Sequence, residues 1–88
     1  MKVIYTSQAK KDRDYWEKHN PKILKRIDEL LKDIQQHPFS GVGKPEPLKF
    51  KYTGYWSRRI NQEHRLVYKA YGRTIYVAQC RYYYQKTL

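Results

Sequence analysis

Ile23, Leu24, Ile27, Leu30, Leu31 and Ile34 recur at helical spacing and form one continuous apolar stripe. The opposite face, Lys22, Lys25, Arg26, Asp28, Glu29, Lys32 and Asp33, is charged. The spacing predicts a helix with Asn20 as its cap and Pro21 at its first position, ending before His37-Pro38. Upstream, Lys2 to Tyr5 reads as a short strand, and Thr6 or Ser7 can cap a weaker helix. From Ala9 onward, Ala9, Asp12, Tyr15 and Trp16 share a face of that helix. Downstream the period changes to two. Phe39 to Pro47 reads as a loop by its glycines and prolines, Leu48 to Lys51 as a short strand, and Tyr52-Thr53-Gly54 as a turn. Trp56 to Ile60 and His64 to Tyr68 then read as two strands joined through Asn61-Gln62-Glu63. After a turn at Tyr71-Gly72-Arg73, Thr74 to Tyr82 is expected to be a long last strand. Alternation along it puts Tyr76, Ala78, Cys80 and Tyr82 on one face, with Ile75, Val77, Gln79 and Arg81 on the other. Two helices leading into a largely antiparallel sheet give an α+β fold, expected as a single domain over residues 1–88.

Charge narrows the partners. Nineteen Lys and Arg against eight Asp and Glu leave a formal charge of +11, which points to a polyanion such as nucleic acid or an acidic protein. No apolar run approaches the length of a membrane span or a signal peptide, so the expectation is a cytoplasmic protein without membrane contact. Cys80 is the single cysteine and reads as a buried, inert position. His19, His37, His64 and Cys80 show no ligand spacing, so no metal or other cofactor is expected.

Candidate chemistry gathers in the second half of the chain. Arg65 stands on a strand, sharing a face with Val67, while His64 shares the opposite face with Leu66 and Tyr68. A guanidinium on a rigid strand near other arginines suits recognition of a phosphate. Glu46 is held between Pro45 and Pro47, and is either an ion-pair partner of Lys44 or Lys49 or a base placed where a phosphate will sit. His64 reads as a hydrogen-bonded structural histidine. Tyr55 and Trp56 could stack on bases, although Trp56 fits a core or dimer position equally well. The two glycines of the Phe39–Pro47 loop lack the Walker pattern and give little sign of nucleotide binding.

The sequence resembles the YoeB/Txe toxins of bacterial toxin–antitoxin modules, within the RelE superfamily. The residues that carry the resemblance are Pro38-Phe39, Gly41 to Lys49, Gly54 to Ile60, Glu63 to Tyr68 and Cys80-Arg81-Tyr82. The resemblance implies a microbial RNase-type fold, with two helices packed on one face of a twisted sheet. It implies an endoribonuclease that cleaves mRNA in the ribosomal A site, a cognate acidic antitoxin of the YefM/Axe kind, and a homodimer. Operator DNA is a further candidate partner, of the toxin–antitoxin complex.

Carried over by position, Glu46 resembles the general base for the 2′-hydroxyl, and Arg65 the residue that steadies the phosphate as it becomes five-coordinate. The family has a histidine and then a tyrosine near the leaving 5′-oxygen. Here Tyr83 stands at the histidine position, followed by Tyr84. Tyr83 is therefore the expected acid, and Tyr84 the competing one. Lys44, Lys49 and Lys51 are expected to contact ribosomal RNA, with Arg58, Arg59 and Arg81 positioning phosphates. The alternative function is a catalytically impaired ribosome or nucleic-acid binder of the same fold.

Overall fold

A computed structural model describes residues 1–83, so Tyr84 lies outside the described residues. The elements in order are β1 (Lys2–Tyr5), α1 (Ser7–His19), α2 (Pro21–Gln36), β2 (Glu46–Pro47), β3 (Trp56–Arg59), β4 (Arg65–Tyr71) and β5 (Thr74–Gln79). The strands form one sheet in the order β1-β5-β4-β3-β2. Every pairing is antiparallel except β1 with β5, which is parallel. The helices carry the chain from one edge of the sheet to the other, as an α+β fold requires.

The helix starts follow the sequence. The Thr6 hydroxyl accepts from the Ala9 N–H at 3.1 Å, and Pro21 opens α2 where its missing N–H costs nothing. Asn20 holds the cap position of α2 without a side-chain capping bond. Ile27, Leu30, Leu31 and Ile34 of the α2 stripe pack with Ala9 and Trp16 of α1 onto Leu66, Tyr68, Ile75 and Val77 of the sheet. Burying each such aliphatic side chain contributes about 1.5–3 kcal/mol before the entropy of ordering is subtracted. A smaller cluster, Leu48 and Val67 with Tyr52, Tyr55 and Ala78, lies on the other face of the sheet.

Three expectations need correction. Phe50–Tyr52 is a 3-10 turn, and the strand lies just before it, at Glu46–Pro47. Prolines hid it from the sequence pattern, but β2 is an edge strand, where proline is tolerated. The hairpin's second strand continues past Tyr68 to Tyr71. The last strand ends at Gln79, well short of Tyr82. Val67 pairs with Gln79 and Tyr68 with Val77, leaving Ala78 as the extra residue of a β-bulge. The bulge shifts the alternation by one, so Cys80 joins the core under the helices instead of sharing a face with Ala78.

Burial pushes the Cys80 thiol up to about 12, where it is protonated and unreactive at ordinary pH. Iodoacetamide at pH 8 should therefore label the native protein no faster than global unfolding exposes it. Rapid labelling without denaturant, read by mass spectrometry, would contradict a sealed thiol.

Candidate active site

Pairing fixes which side chains share the face away from the helices. Glu46 is opposite Ser57, Ser57 opposite Val67, and Val67 opposite Gln79, one row running across β2, β3, β4 and β5. The next row along holds Arg59 opposite Arg65. With strands about 4.8 Å apart, Glu46 and Arg65 stand two strands apart and one step out of line, roughly 12 Å between Cα atoms. Glu46 and Arg65 thus share this face, with Ser57 and Val67 in the row beside Arg65.

Arg65 is nearly buried, 5% exposed. Its Nη1 donates to the carbonyls of Asn61 at 2.7 Å, Gln62 at 3.3 Å and His64 at 3.1 Å. Those bonds fix the plane of the guanidinium. The Asn61 side chain shapes the same turn, accepting from the N–H groups of Glu63 and His64. Above the guanidinium lies the Tyr83 ring, with its centroid 4.3 Å from Cζ, within cation–π distance. Glu46 and Arg59 on this face are exposed, as are Lys44, Lys49 and Lys51 in the segments flanking β2.

Tyr83 does not arrive there by strand alternation, since β5 has already ended. The segment after it is gripped by α1 and by the start of β4. The Asp12 carboxylate accepts from the Cys80 N–H at 3.0 Å, and Trp16 Nε1 donates to the Cys80 carbonyl at 2.7 Å. The Tyr82 N–H donates to His64 Nδ1 at 2.8 Å, and the Tyr82 carbonyl accepts from the Arg65 N–H at 3.0 Å. Tyr82 itself takes a left-handed φ of 66°, an unusual state for a non-glycine residue. His64 is thus the structural histidine that its position suggested. Asp12 was seen only as a member of a helix face. The signal that could have singled it out is a carboxylate one turn before Trp16 on a side that must be buried.

Arg58, expected to meet phosphate, is corrected by its surroundings. It is fully buried on the helix side of β3, beneath the loop that leads to Glu46. Its Nε donates to the Tyr68 hydroxyl at 3.2 Å. Nη1 donates to Asp33 at 2.5 Å and to the Val42 carbonyl at 3.1 Å. Nη2 donates to the carbonyls of His37 at 2.5 Å and Ser40 at 2.7 Å. These acceptors match the five N–H donors of a guanidinium, leaving none for RNA. The glycines of this loop are there for space and backbone geometry. A Cβ on Gly41 would fall 2.1 Å from Asp33 Oδ2, one on Gly43 2.9 Å from Leu30 Cδ2, and both have positive φ. Arg81 packs against α1 and shares a cleft with Asp12, Gln79, Tyr82 and Tyr83. Its guanidinium lies 3.4 Å from the Tyr15 ring centroid and 4.5 Å from that of Tyr82, and its buried Nε meets no acceptor among the described residues. Trp56 packs on the core and beside Phe39, centroids 4.9 Å apart, which favours its core reading.

Among the described residues no three His, Cys, Asp or Glu side chains are grouped as a metal site requires, and no helix among them is long and apolar enough to cross a membrane.

Two helices lie on a mixed sheet with a cationic face built around a held arginine, and solved toxins from toxin–antitoxin modules share this fold. A toxin described as the YoeB dimer from Staphylococcus aureus superposes with a TM-score of 0.90 at 45% identity, covering 96% of this chain and 98% of that one. The toxin in the heterotetrameric YoeB–YefM toxin–antitoxin complex from the same organism gives 0.89 at 45% identity, with the same coverage. The toxin YoeB of Escherichia coli strain K12 is 48% identical over 84 residues, 96% of this chain and all of that protein. Residues 5–84 match the model of the YoeB-like toxin of bacterial type II toxin–antitoxin systems. The chain belongs to the YoeB toxin family.

Proposed function

We propose that the protein is a ribosome-dependent endoribonuclease that cuts mRNA in the A site and is held inactive by a cognate acidic antitoxin. The observation that carries this reading is Arg65, buried, pinned through Nη1, and sharing a sheet face with Glu46 while Tyr83 stacks on it. In the proposed step, Glu46 takes the proton of a 2′-hydroxyl and the 2′-oxygen attacks the adjacent phosphorus. Arg65 balances the added charge on the five-coordinate phosphate. The bond to the 5′-oxygen breaks, and that oxygen takes a proton from Tyr83. A lone carboxylate is a feeble base, so holding the message in line must supply much of the rate, which is where the ribosome enters.

The products are a 2′,3′-cyclic phosphate, or the 3′-phosphate from its opening, and a 5′-hydroxyl. Inducing the free protein in bacteria and mapping mRNA ends tests the reading. Translation arrest without new ends at A-site codons would instead favour a ribosome binder, and a 3′-hydroxyl product would exclude 2′-oxygen attack. A protein that acts on ribosomes would work in the cytoplasm. The staphylococcal relatives support a homodimer and a YefM-like partner, whose acidity would match a charge of +11. Operator DNA remains a candidate ligand of that complex on charge alone.

Ribosome affinity should fall steeply with salt, because exposed Lys44, Lys49, Lys51 and Arg59 would release counterions on meeting RNA phosphates. Binding measured by co-sedimentation at rising potassium chloride, with magnesium constant, checks it. An unchanged affinity over a several-fold range would remove the phosphate contacts.

A further inference from the structure

The same sheet face continues beyond the candidate active site. Strand β4 sets Arg65, Val67, Lys69 and Tyr71 on it in turn, so Lys69 stands about 14 Å along the strand from Arg65. The small cluster of Leu48, Val67 and Ala78 separates the two ends. At the far end Lys69 is opposite Tyr76 of β5. Its ammonium lies 5.4 Å from the ring centroid of Tyr55 and 6.0 Å from that of Tyr76. Thr6, Tyr55, Lys69, Tyr71 and Tyr76 line a cleft of about 260 Å³. That is below the range of whole drug-sized ligands and suits one flat ring system. The lining contains no acid, and Tyr71 is 74% exposed.

We infer that this cleft is a nucleobase subsite, in which a base of single-stranded RNA stacks on tyrosine while Lys69 meets the neighbouring phosphate. The inference rests on the nuclease reading for its direction, since it places the message along β4 between the subsite and Arg65. Its chemistry is independent of catalysis: aromatic rings accept any base by its π face, and a lysine beside them meets the backbone. A face with one cation and three tyrosines, continuous with the cationic site, favours RNA over an acidic peptide, which would find a single charge to pair with.

The test uses the full chain carrying Glu46→Gln, so that bound RNA stays intact, and two labelled probes: short oligoadenylate and the same backbone without bases. Adding Tyr76→Leu should weaken oligoadenylate about tenfold, the scale of one stacked base, and leave the abasic strand unchanged. Adding Lys69→Gln should weaken both strands and flatten the salt dependence. Tyr71→Ala, at an exposed position, repeats the stacking test should Tyr76→Leu melt early. Equal loss on both probes from the tyrosine changes, or no loss on either, overturns the subsite. So does a glutamate-rich peptide whose binding needs Tyr76 and Lys69 when oligoadenylate binding does not. Programmed ribosomes, challenged with the Tyr76 and Lys69 variants made with Glu46 restored, separate the two claims. Normal cutting by variants that never lost oligoadenylate removes the subsite and spares the nuclease. Uncut ribosomes with tyrosine-dependent oligoadenylate binding do the reverse.

Discussion

Replacing Arg58 by methionine should lower the melting temperature by more than about 12 °C. The side chain is wholly buried and holds Asp33, Tyr68 and the carbonyls of His37, Ser40 and Val42 together. Methionine fills part of the volume but leaves those acceptors without a donor. Breaking such a buried charged network costs about 3 kcal/mol or more. In a domain of this size each kcal/mol moves the midpoint by roughly 4–8 °C. Arg58→Lys should be nearly as damaging, since one ammonium cannot reach acceptors arranged around a planar fork. Calorimetry on both variants checks this, and a shift of a degree or two would show that the loop does not depend on the network.

The acid side gives a second readout. The hydrogen bond from Arg58 holds the Asp33 carboxyl below its ordinary 3.8. That contribution is complete above pH 3.8 and is lost as the pH falls through the lower folded value. Asp33→Asn should therefore flatten the acid limb of the stability curve below pH 4 and leave its neutral-to-alkaline shape alone.

Arg58 also marks where the sequence stopped being legible. The α2 stripe and the hairpin around Asn61-Gln62-Glu63 were readable because helical and strand periods differ so plainly. The same period put Arg65 on a face opposite His64, and the pairing of β3 with β4 agrees. Arg58 shares its parity with Trp56 and Ile60, both packed in the core. Composition called it a surface cation; alternation could have called it buried. What could not be read is long-range. The parallel match of β1 to β5 joins Val3 to Ile75, and no local pattern records a partner that far away. The bulge at Ala78 is equally silent, yet it decides which way Cys80 faces and where Tyr83 begins its approach. Glu46 was recognised while its strand was not, because prolines beside it imitate a loop.

The largest functional effect is expected from Tyr83→Phe, which should reduce single-turnover cleavage on programmed ribosomes about a hundredfold, the usual scale for losing a general acid. Strand alternation cannot bring Tyr83 to this site, because β5 ends at Gln79. Hydrogen bonds and packing do so instead. Asp12, Trp16 and His64 hold the backbone from Cys80 to Tyr82, and the Tyr83 ring comes to rest on the guanidinium of Arg65. An acid must stand beside the group that stabilises the phosphate, and Tyr83 does. Phenylalanine keeps the ring on Arg65, so folding and ribosome binding should hardly move, and the loss should appear in the chemical step. Tyr83→His should restore or raise the rate and add a limb near pH 6 to 7, where an imidazole titrates. The decisive control is Tyr84→Phe. Full activity in Tyr83→Phe with an inactive Tyr84→Phe would transfer the proton to Tyr84 and leave Tyr83 as a ring that orients Arg65.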